Sequence, residues 1–348
     1  MTCEGTMLKV PEFWISNLDH IDRQAKTAGR AEVREIARSA GGRPLYAFAY
    51  GEKQIMKSTA NYSSACGAFD RDCYVPLSGK KPVVLLLGAV HGAEVEGTAA
   101  LVNLIHCLEE GKDLRGDENE ALMKAAEAIR LVIVPVCNPD GRARLPYESV
   151  LGMTMKEMRY WFQGTWKDGT LCDYPRCKKV HPIQEASDHL GSYFNDDGVN
   201  IMHDNFFRPM ARETQAILGL ADEEKADFVI QLHGGGNCLN CLLPTHYVTK
   251  ESLVAVHDLS VLCNERAKRE GLAFTICDIP ERENGETPPS FNLASALHHV
   301  CGAVSAVFES NQHAAGHPGA KLTHDEVYRS HLILFEELFG MASSRCRA

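Results

Sequence analysis

The sequence predicts a single α/β domain, on three observations. Four short, largely apolar runs rich in β-branched residues, at 83–87, 131–136, 228–232 and 303–308, suit strands covered on both faces. Stretches with apolar residues at helical spacing alternate with these runs along the whole chain. No internal repeat or low-complexity linker divides the 348 residues, a length that can bury one large core.

Taken in order, residues 1–30 read as partly helical and solvated. Residues 32–51 alternate apolar and polar around Gly41-Gly42, a hairpin signature. Residues 57–80 carry Ser, Asn, Gly, Pro and two Cys and read as loop. The strand at 83–87 runs into a turn bearing His91 and Glu94. A helix begins near Val95, with Leu101, Val102, Leu104, Ile105 and Leu108 on its apolar stripe. Residues 119–130 form a second helix, rich in Ala, Leu, Met and Glu. The strand after it enters a Pro139-Asp140-Gly141 turn, which Asp140 is expected to serve.

Residues 146–195 lack clear periodicity but carry Tyr147, Tyr160, Trp161, Phe162, Trp166, Tyr174, Tyr193 and Phe194. Such an aromatic-rich insertion reads equally as a binding loop and as a surface excursion packed on its own rings. A helix comes next, near 212–220, then the strand 228–232, ending in His233. Helix 252–270 closes at Gly271. Ser290 is a possible cap for a helix reaching His299 and closed by Gly302. The strand 303–308 delivers Glu309, and Thr323 with Glu326 forms a capping box for the last helix.

Composition narrows the function classes. Lys and Arg number 36 against 46 Asp and Glu, a net charge of −10, which disfavours nucleic acid and anionic membranes as partners. No run of 18 apolar residues is present, so no membrane span is expected. The N-terminus has no basic start followed by an apolar stretch, so no secretory signal is expected. Of thirteen Cys, Cys107, Cys137, Cys263 and Cys301 lie in apolar runs and read as buried, reduced thiols, which fits a cytoplasmic setting. Nothing in the sequence sets the oligomeric state.

Three strand ends deliver His91 with Glu94, His233, and Glu309. Open α/β sheets hold their ligands at such ends. Two His and one Glu suit a catalytic zinc, one Zn2+ per chain, and leave its fourth position open to water. Glu309 is then the carboxylate available as general base. Glu96 rivals Glu94 as a ligand, but the HxxE spacing favours Glu94.

His91-Gly92-Ala93-Glu94, Asn138-Pro139-Asp140-Gly141, Gly198 through His203, His233 and Glu309, in that order, resemble the zinc carboxypeptidases of the carboxypeptidase A type. The related succinylglutamate desuccinylase and aspartoacylase deacylases share that fold. The resemblance spans roughly 30–340, with a longer insertion at 146–195, and the Asn-Pro-Asp-Gly motif favours the peptidase branch. It implies a mixed, twisted eight-stranded sheet flanked by helices. It also implies His91, Glu94 and His233 as zinc ligands and Glu309 as base.

Departures from the family pattern are informative. The Asn-Arg pair that grips a substrate's terminal carboxylate corresponds to Met202 and His203. The oxyanion-stabilising Arg corresponds to Tyr193, and the Asp that orients the first His corresponds to Asn200. A lid tyrosine is expected between His233 and Glu309, where Tyr247 comes too early. Arg142, Arg144 and Arg159 lie near enough in sequence to replace the missing cation, although each also reads as an ordinary surface Arg. The substrate-binding candidates are thus His203, Arg142, Arg144, Tyr193 and Asn200.

Three functions fit, in descending order. The first is a zinc-dependent hydrolase of amide bonds in peptides, and the second a deacylase or amidase acting on a small N-acyl substrate. The third is an inactive relative that binds through the aromatic insertion. Among the remaining features, Cys238 and Cys241 form a lone CxxC that reads as a structural loop, and Cys172 and Cys177 support no assignment. One of His298 and His299 reads as a core residue, and His313 and His317 as solvated loop residues.

Overall fold

The strands of the central sheet order themselves by how apolar they are. The computed structural model describes residues 7–75, 80–236, 238–279, 288–315 and 322–345. Eight strands make its main sheet: β1 (Glu32–Arg38), β2 (Pro44–Tyr50), β3 (Val83–Gly88), β4 (Arg130–Val134), β7 (Phe228–Gly235), β8 (Asn240–Leu243), β9 (Phe274–Thr275) and β10 (Val304–Asn311). They lie in the order β1-β2-β4-β3-β7-β10-β8-β9. A separate ribbon pairs β5 (Gly164–Trp166) with β6 (Ser187–Leu190).

The four apolar runs become the neighbouring parallel strands β4, β3, β7 and β10. The β1–β2 hairpin and β8 join antiparallel. Alternate residues of each parallel strand face opposite layers. Val84 and Leu86 join one core cluster while Val83, Leu85 and Leu87 join the other. The first layer is built by α3 (Val95–Glu110), α4 (Glu120–Glu127), α8 (Lys250–Arg269) and α10 (His324–Arg345). The second is built by α7 (Arg212–Glu224) and α9 (Leu293–Cys301). The chain leaves β3 towards β4 but leaves β7 towards β10, so the order reverses between β3 and β7. Clefts open at such a reversal, beyond the carboxyl ends of the strands.

Several elements differ from expectation. Residues 1–30 contain α1 (Leu18–Thr27), capped by Asn17, and the stretch read as loop holds α2 (Tyr62–Gly67). The Pro139 turn is a short helix, α5 (Pro139–Arg144), capped by Asn138. Within 146–195 lie α6 (Met155–Phe162), opened by a Thr154–Glu157 capping box, and the β5–β6 ribbon. Asn292, not Ser290, caps α9. The last two strands of the sheet, β8 and β9, escaped sequence reading because they are short and made by pairing, not by pattern. Strands β7 and β10 run three residues beyond their apolar cores. Their ladder continues there, so His233 and Glu309 sit inside strands. The Thr323–Glu326 capping box is present. Among the described residues no helix is long and apolar enough to cross a membrane.

Candidate active site

The turn after β3 is held in a fixed shape by its neighbours. Ala89 takes a positive φ of 42°, a strained conformation for a side chain with a β-carbon. Backbone bonds from Cys137 to Gly88 (2.8 Å) and from Asn138 to Ala89 (3.0 Å) clamp it to the segment before α5. Gly92 packs so closely on α5 that a β-carbon there would lie 2.1 Å from the Arg142 amide nitrogen. Its own N–H donates to Ser192 O (2.8 Å), and Asn138 Nδ2 reaches the same carbonyl (3.4 Å). The Asn-Pro-Asp-Gly motif therefore buttresses the His-Gly-Ala-Glu turn from below.

Glu94 stands at the N-cap of α3 yet makes no side-chain cap bond; its carboxylate turns to two imidazoles instead. His91 Nδ1 lies 2.9 Å from Oε1 and His233 Nδ1 lies 2.7 Å from Oε2. Glu94 Oε2 and His233 Nε2 are both buried without a hydrogen-bond partner. The other nitrogen of His91, Nε2, faces Asn200 Oδ1 at 3.2 Å. That oxygen already accepts the Met202 N–H (3.0 Å), so it offers His91 Nε2 an acceptor and favours the tautomer whose Nδ1 could bind a metal.

Donor atoms of His91, Glu94 and His233 all lie within 4.8 Å of one another. Two imidazoles and one carboxylate, converging and incompletely hydrogen-bonded, fit a zinc ion with one open position. No other such group occurs among the described residues. Burial works against the Glu94 charge, but the imidazoles outweigh it and hold its carboxyl down at about 2. Burial pushes His91 towards its neutral form, whereas the Glu94 charge pulls His233 up.

Glu309 pairs in register with His233 across the parallel β7–β10 ladder. Residues opposite one another on adjacent strands point to the same face, so the carboxylate stands beside the imidazole. Burial, opposed by His233 and reinforced by Glu94, raises its carboxyl to about 7. One residue layer away, Glu96 is fully buried and bonded to Gln312 Nε2 (3.1 Å); burial lifts it to about 8. Glu96 therefore lies behind the site, in a different setting from Glu94.

A cleft of about 710 Å³ opens over these residues. Tyr193 stacks on His91, with ring centroids 3.9 Å apart. His203 lines the cleft, with Nδ1 3.2 Å from Ser290 Oγ. Burial, with the nearby Lys178 charge, lowers it to about 3, so it is a neutral hydrogen-bonding group at pH 7. Met202 lines the same wall.

Arg142 and Arg144 are corrections to the sequence reading: neither lines the cleft. Arg142 is buried and spends its guanidinium on Ser16 O (2.9 Å), Leu145 O (2.8 Å), Ser16 Oγ (3.0 Å) and Tyr147 O (3.1 Å). Arg144 binds Asp196 and the carbonyls of Phe194 and Gly191 (3.3 Å). Both tie backbone together. Asp140 likewise does more than serve its own turn, because it accepts from Ser39, Gly41, Arg43 and Asp196. Tyr247 does not line the cleft; its hydroxyl donates to Pro289 O (2.7 Å).

Of the remaining candidates, Arg159 reaches the cleft, joined there by Tyr174 and Lys178, which sequence reasoning missed. Their segment has no periodicity to mark a facing side. Cys238 lines the cleft and Cys241 lies on β8, both as free thiols that burial raises well above the usual range. Cys172 and Cys177 are buried together against Ile183 and Phe194. His298 is the core histidine of its pair, bonded to Ala303 O (2.8 Å). His313 lies off the cleft lining, and His317 falls outside the described residues.

Comparison with known proteins bears on the family and the fold. The family profile described as zinc carboxypeptidase matches residues 18–269. A metallo-carboxypeptidase from Burkholderia cenocepacia superposes with a TM-score of 0.57 at 13% identity, covering 94% of this chain and 68% of that one. Carboxypeptidase A from Helicoverpa armigera gives 0.54 at 15% identity, covering 99% and 77%. Bovine thrombin-activatable fibrinolysis inhibitor, in complex with tick carboxypeptidase inhibitor, gives 0.54 at 12%, covering 97% and 99%. At these identities the superpositions speak to the fold. A comparison with curated protein sequences finds no match.

Proposed function

Because the chain belongs to the zinc carboxypeptidase family, and with it to the zinc metallohydrolases, we propose that it hydrolyses an amide bond in a peptide, with Glu309 as general base. The observation that carries the proposal is the convergence of His91, Glu94 and His233, with Glu309 in register beside His233. A zinc ion held by that trio would polarise the substrate carbonyl and make water acidic enough to attack near neutral pH. Glu309, partly buried and raised towards neutrality, takes the attacking water's proton and returns it to the leaving nitrogen. Asn200, accepting from His91 Nε2, would leave Nδ1 to the metal. Tyr193, against the His91 ring, contributes a neutral hydroxyl donor for the developing oxyanion.

The neutral Met202–His203 wall favours a second reading, a deacylase acting on a small N-acyl compound. The eleven cysteines among the described residues are all free, which supports a reducing compartment such as the cytoplasm.

Metal analysis of purified protein should give about one zinc per chain, since the described residues hold one such ligand set. Chelation should lower Tm in the wild type, because a ligand bound only to the folded state stabilises it. His91→Ala combined with His233→Ala should abolish both the zinc and the chelation shift. Retained zinc in that double variant would overturn the assignment. Turnover of an N-acyl amino acid against an unblocked dipeptide separates deacylase from peptidase.

A further inference from the structure

On the hydrolase reading the cleft must hold one end of its substrate, and we propose that it does so through an anion subsite centred on Lys178, so that the substrate is an amide bearing a carboxylate. The Met202–His203 wall offers no charge for this purpose. Met202 is apolar, and His203, bonded to Ser290, is neutral at pH 7. Arg142 and Arg144 are consumed by backbone carbonyls and Asp196.

Among the described residues lining the cleft, the permanent side-chain cations are Arg159 and Lys178. Arg159 is half exposed and pairs with Asp173 at 3.5 Å. Lys178 has no carboxylate partner among the described residues. Its ammonium lies 4.5 Å from the centroid of the Tyr174 ring and 3.2 Å from the Tyr174 hydroxyl. A ring and a neutral hydroxyl position an ammonium without cancelling its charge.

The charge faces the centre of the site. Lys178 lines the same cleft as His91, Glu94, His203, His233 and Glu309. Its backbone is also anchored. Cys177, the preceding residue, is buried with Cys172, Ile183 and Phe194, and its N–H donates to Asp173 O (2.8 Å). A fixed backbone under a flexible four-carbon stem suits a single charge-assisted bond to a carboxylate. The carboxylate can belong to a peptide C-terminus or to an N-acyl amino acid, and the experiment separates the two.

The test measures equilibrium binding by calorimetry to zinc-loaded Glu309→Gln protein, in which turnover is suppressed. The probes are a dipeptide, an N-acetyl amino acid, and the terminal amide of each. We expect at least one free carboxylate to bind about tenfold tighter than its amide, and the tighter pair identifies the source. In a Lys178→Met background the ratio should fall to about one while amide binding stays constant; Lys178→Arg should restore it. The preference should also weaken with added salt, a readout that needs no variant. Equal binding of carboxylate and amide, or an unchanged ratio in Lys178→Met, overturns the proposal. So does an equal loss of kcat on both members of a pair when Lys178→Met is made with Glu309 intact, because that assigns the charge to the transition state. Failure of the unmodified chain to turn over any probe would sink the hydrolase reading, while the binding ratio would still decide the subsite.

Discussion

The His91 imidazole lies flat against the Tyr193 phenol, with ring centroids 3.9 Å apart and planes inclined by 14°. Tyr193 comes from the end of the aromatic insertion, a hundred positions downstream. Ser192 beside it accepts the Gly92 N–H, so ring and turn are tied through adjacent residues on both sides. The stack restrains the imidazole plane, and Asn200 Oδ1 lies within hydrogen-bond reach of its Nε2 (3.2 Å). Removing the hydroxyl should separate the two roles of Tyr193. Tyr193→Phe is expected to keep zinc and lower kcat by about a hundredfold, the usual cost of one oxyanion donor. Tyr193→Ala should also weaken zinc binding, measured by competition with a chelator.

Glu309→Gln should retain the metal and lose about a thousandfold or more in kcat, within the range for a general base. A base works only when deprotonated, so kcat/KM should rise with pH through the Glu309 pKa. That pKa is about 7 in the metal-free site. A bound dication favours the carboxylate, so the acid limb should lie at or below that value. A limb centred well above it would point to another group.

Gly92→Ala tests the buttress under the metal turn. Its β-carbon would fall 2.1 Å from the Arg142 nitrogen and 2.2 Å from the Gly141 carbonyl carbon. Both are backbone atoms and cannot swing aside. The turn must shift, and zinc affinity should fall about tenfold or more, with a drop in Tm. Wild-type zinc binding in this variant would show that the packing does not set the ligand geometry.

Glu96 should leave a mark on stability. Its folded pKa, about 8, lies above the ordinary carboxylate value because the group is fully buried. The folded state therefore holds a proton that the unfolded chain has lost between about pH 4.5 and 8. Stability is greatest below that window and falls as pH rises through it, by up to about 1.4 kcal/mol per pH unit for one proton. In metal-free protein, Glu96→Gln should remove this share of the slope in urea titrations made across the window.

The parallel strands were legible because burial on both faces demands a nearly unbroken apolar sequence, and a run such as 83–87 can serve few other purposes. The four residues of the candidate centre were legible because His233 and Glu309 come directly after such runs, and His91 and Glu94 lie on the turn that follows another. The residues just past a buried parallel strand reach the same edge of the sheet, however long the connections between strands. The capping box at Thr323 was equally local.

Cleft walls were not legible in this way. Nothing local distinguishes Arg142, which is bound to four groups around Ser16 and Tyr147, from Arg159, which opens onto the cleft. The insertion hid Lys178 and Tyr174 because its segments are held by contacts between distant residues, such as Gly164 against Leu190. By itself the sequence determined the four buried strands of the sheet and the chemical types gathered at their ends, since periodicity and strand ends are properties of neighbouring residues. Only the tertiary structure decided which arginines are spent on carbonyls, that Tyr193 covers His91, and that Lys178 faces the cleft. Those facts depend on packing between segments far apart in the chain, which no local pattern encodes.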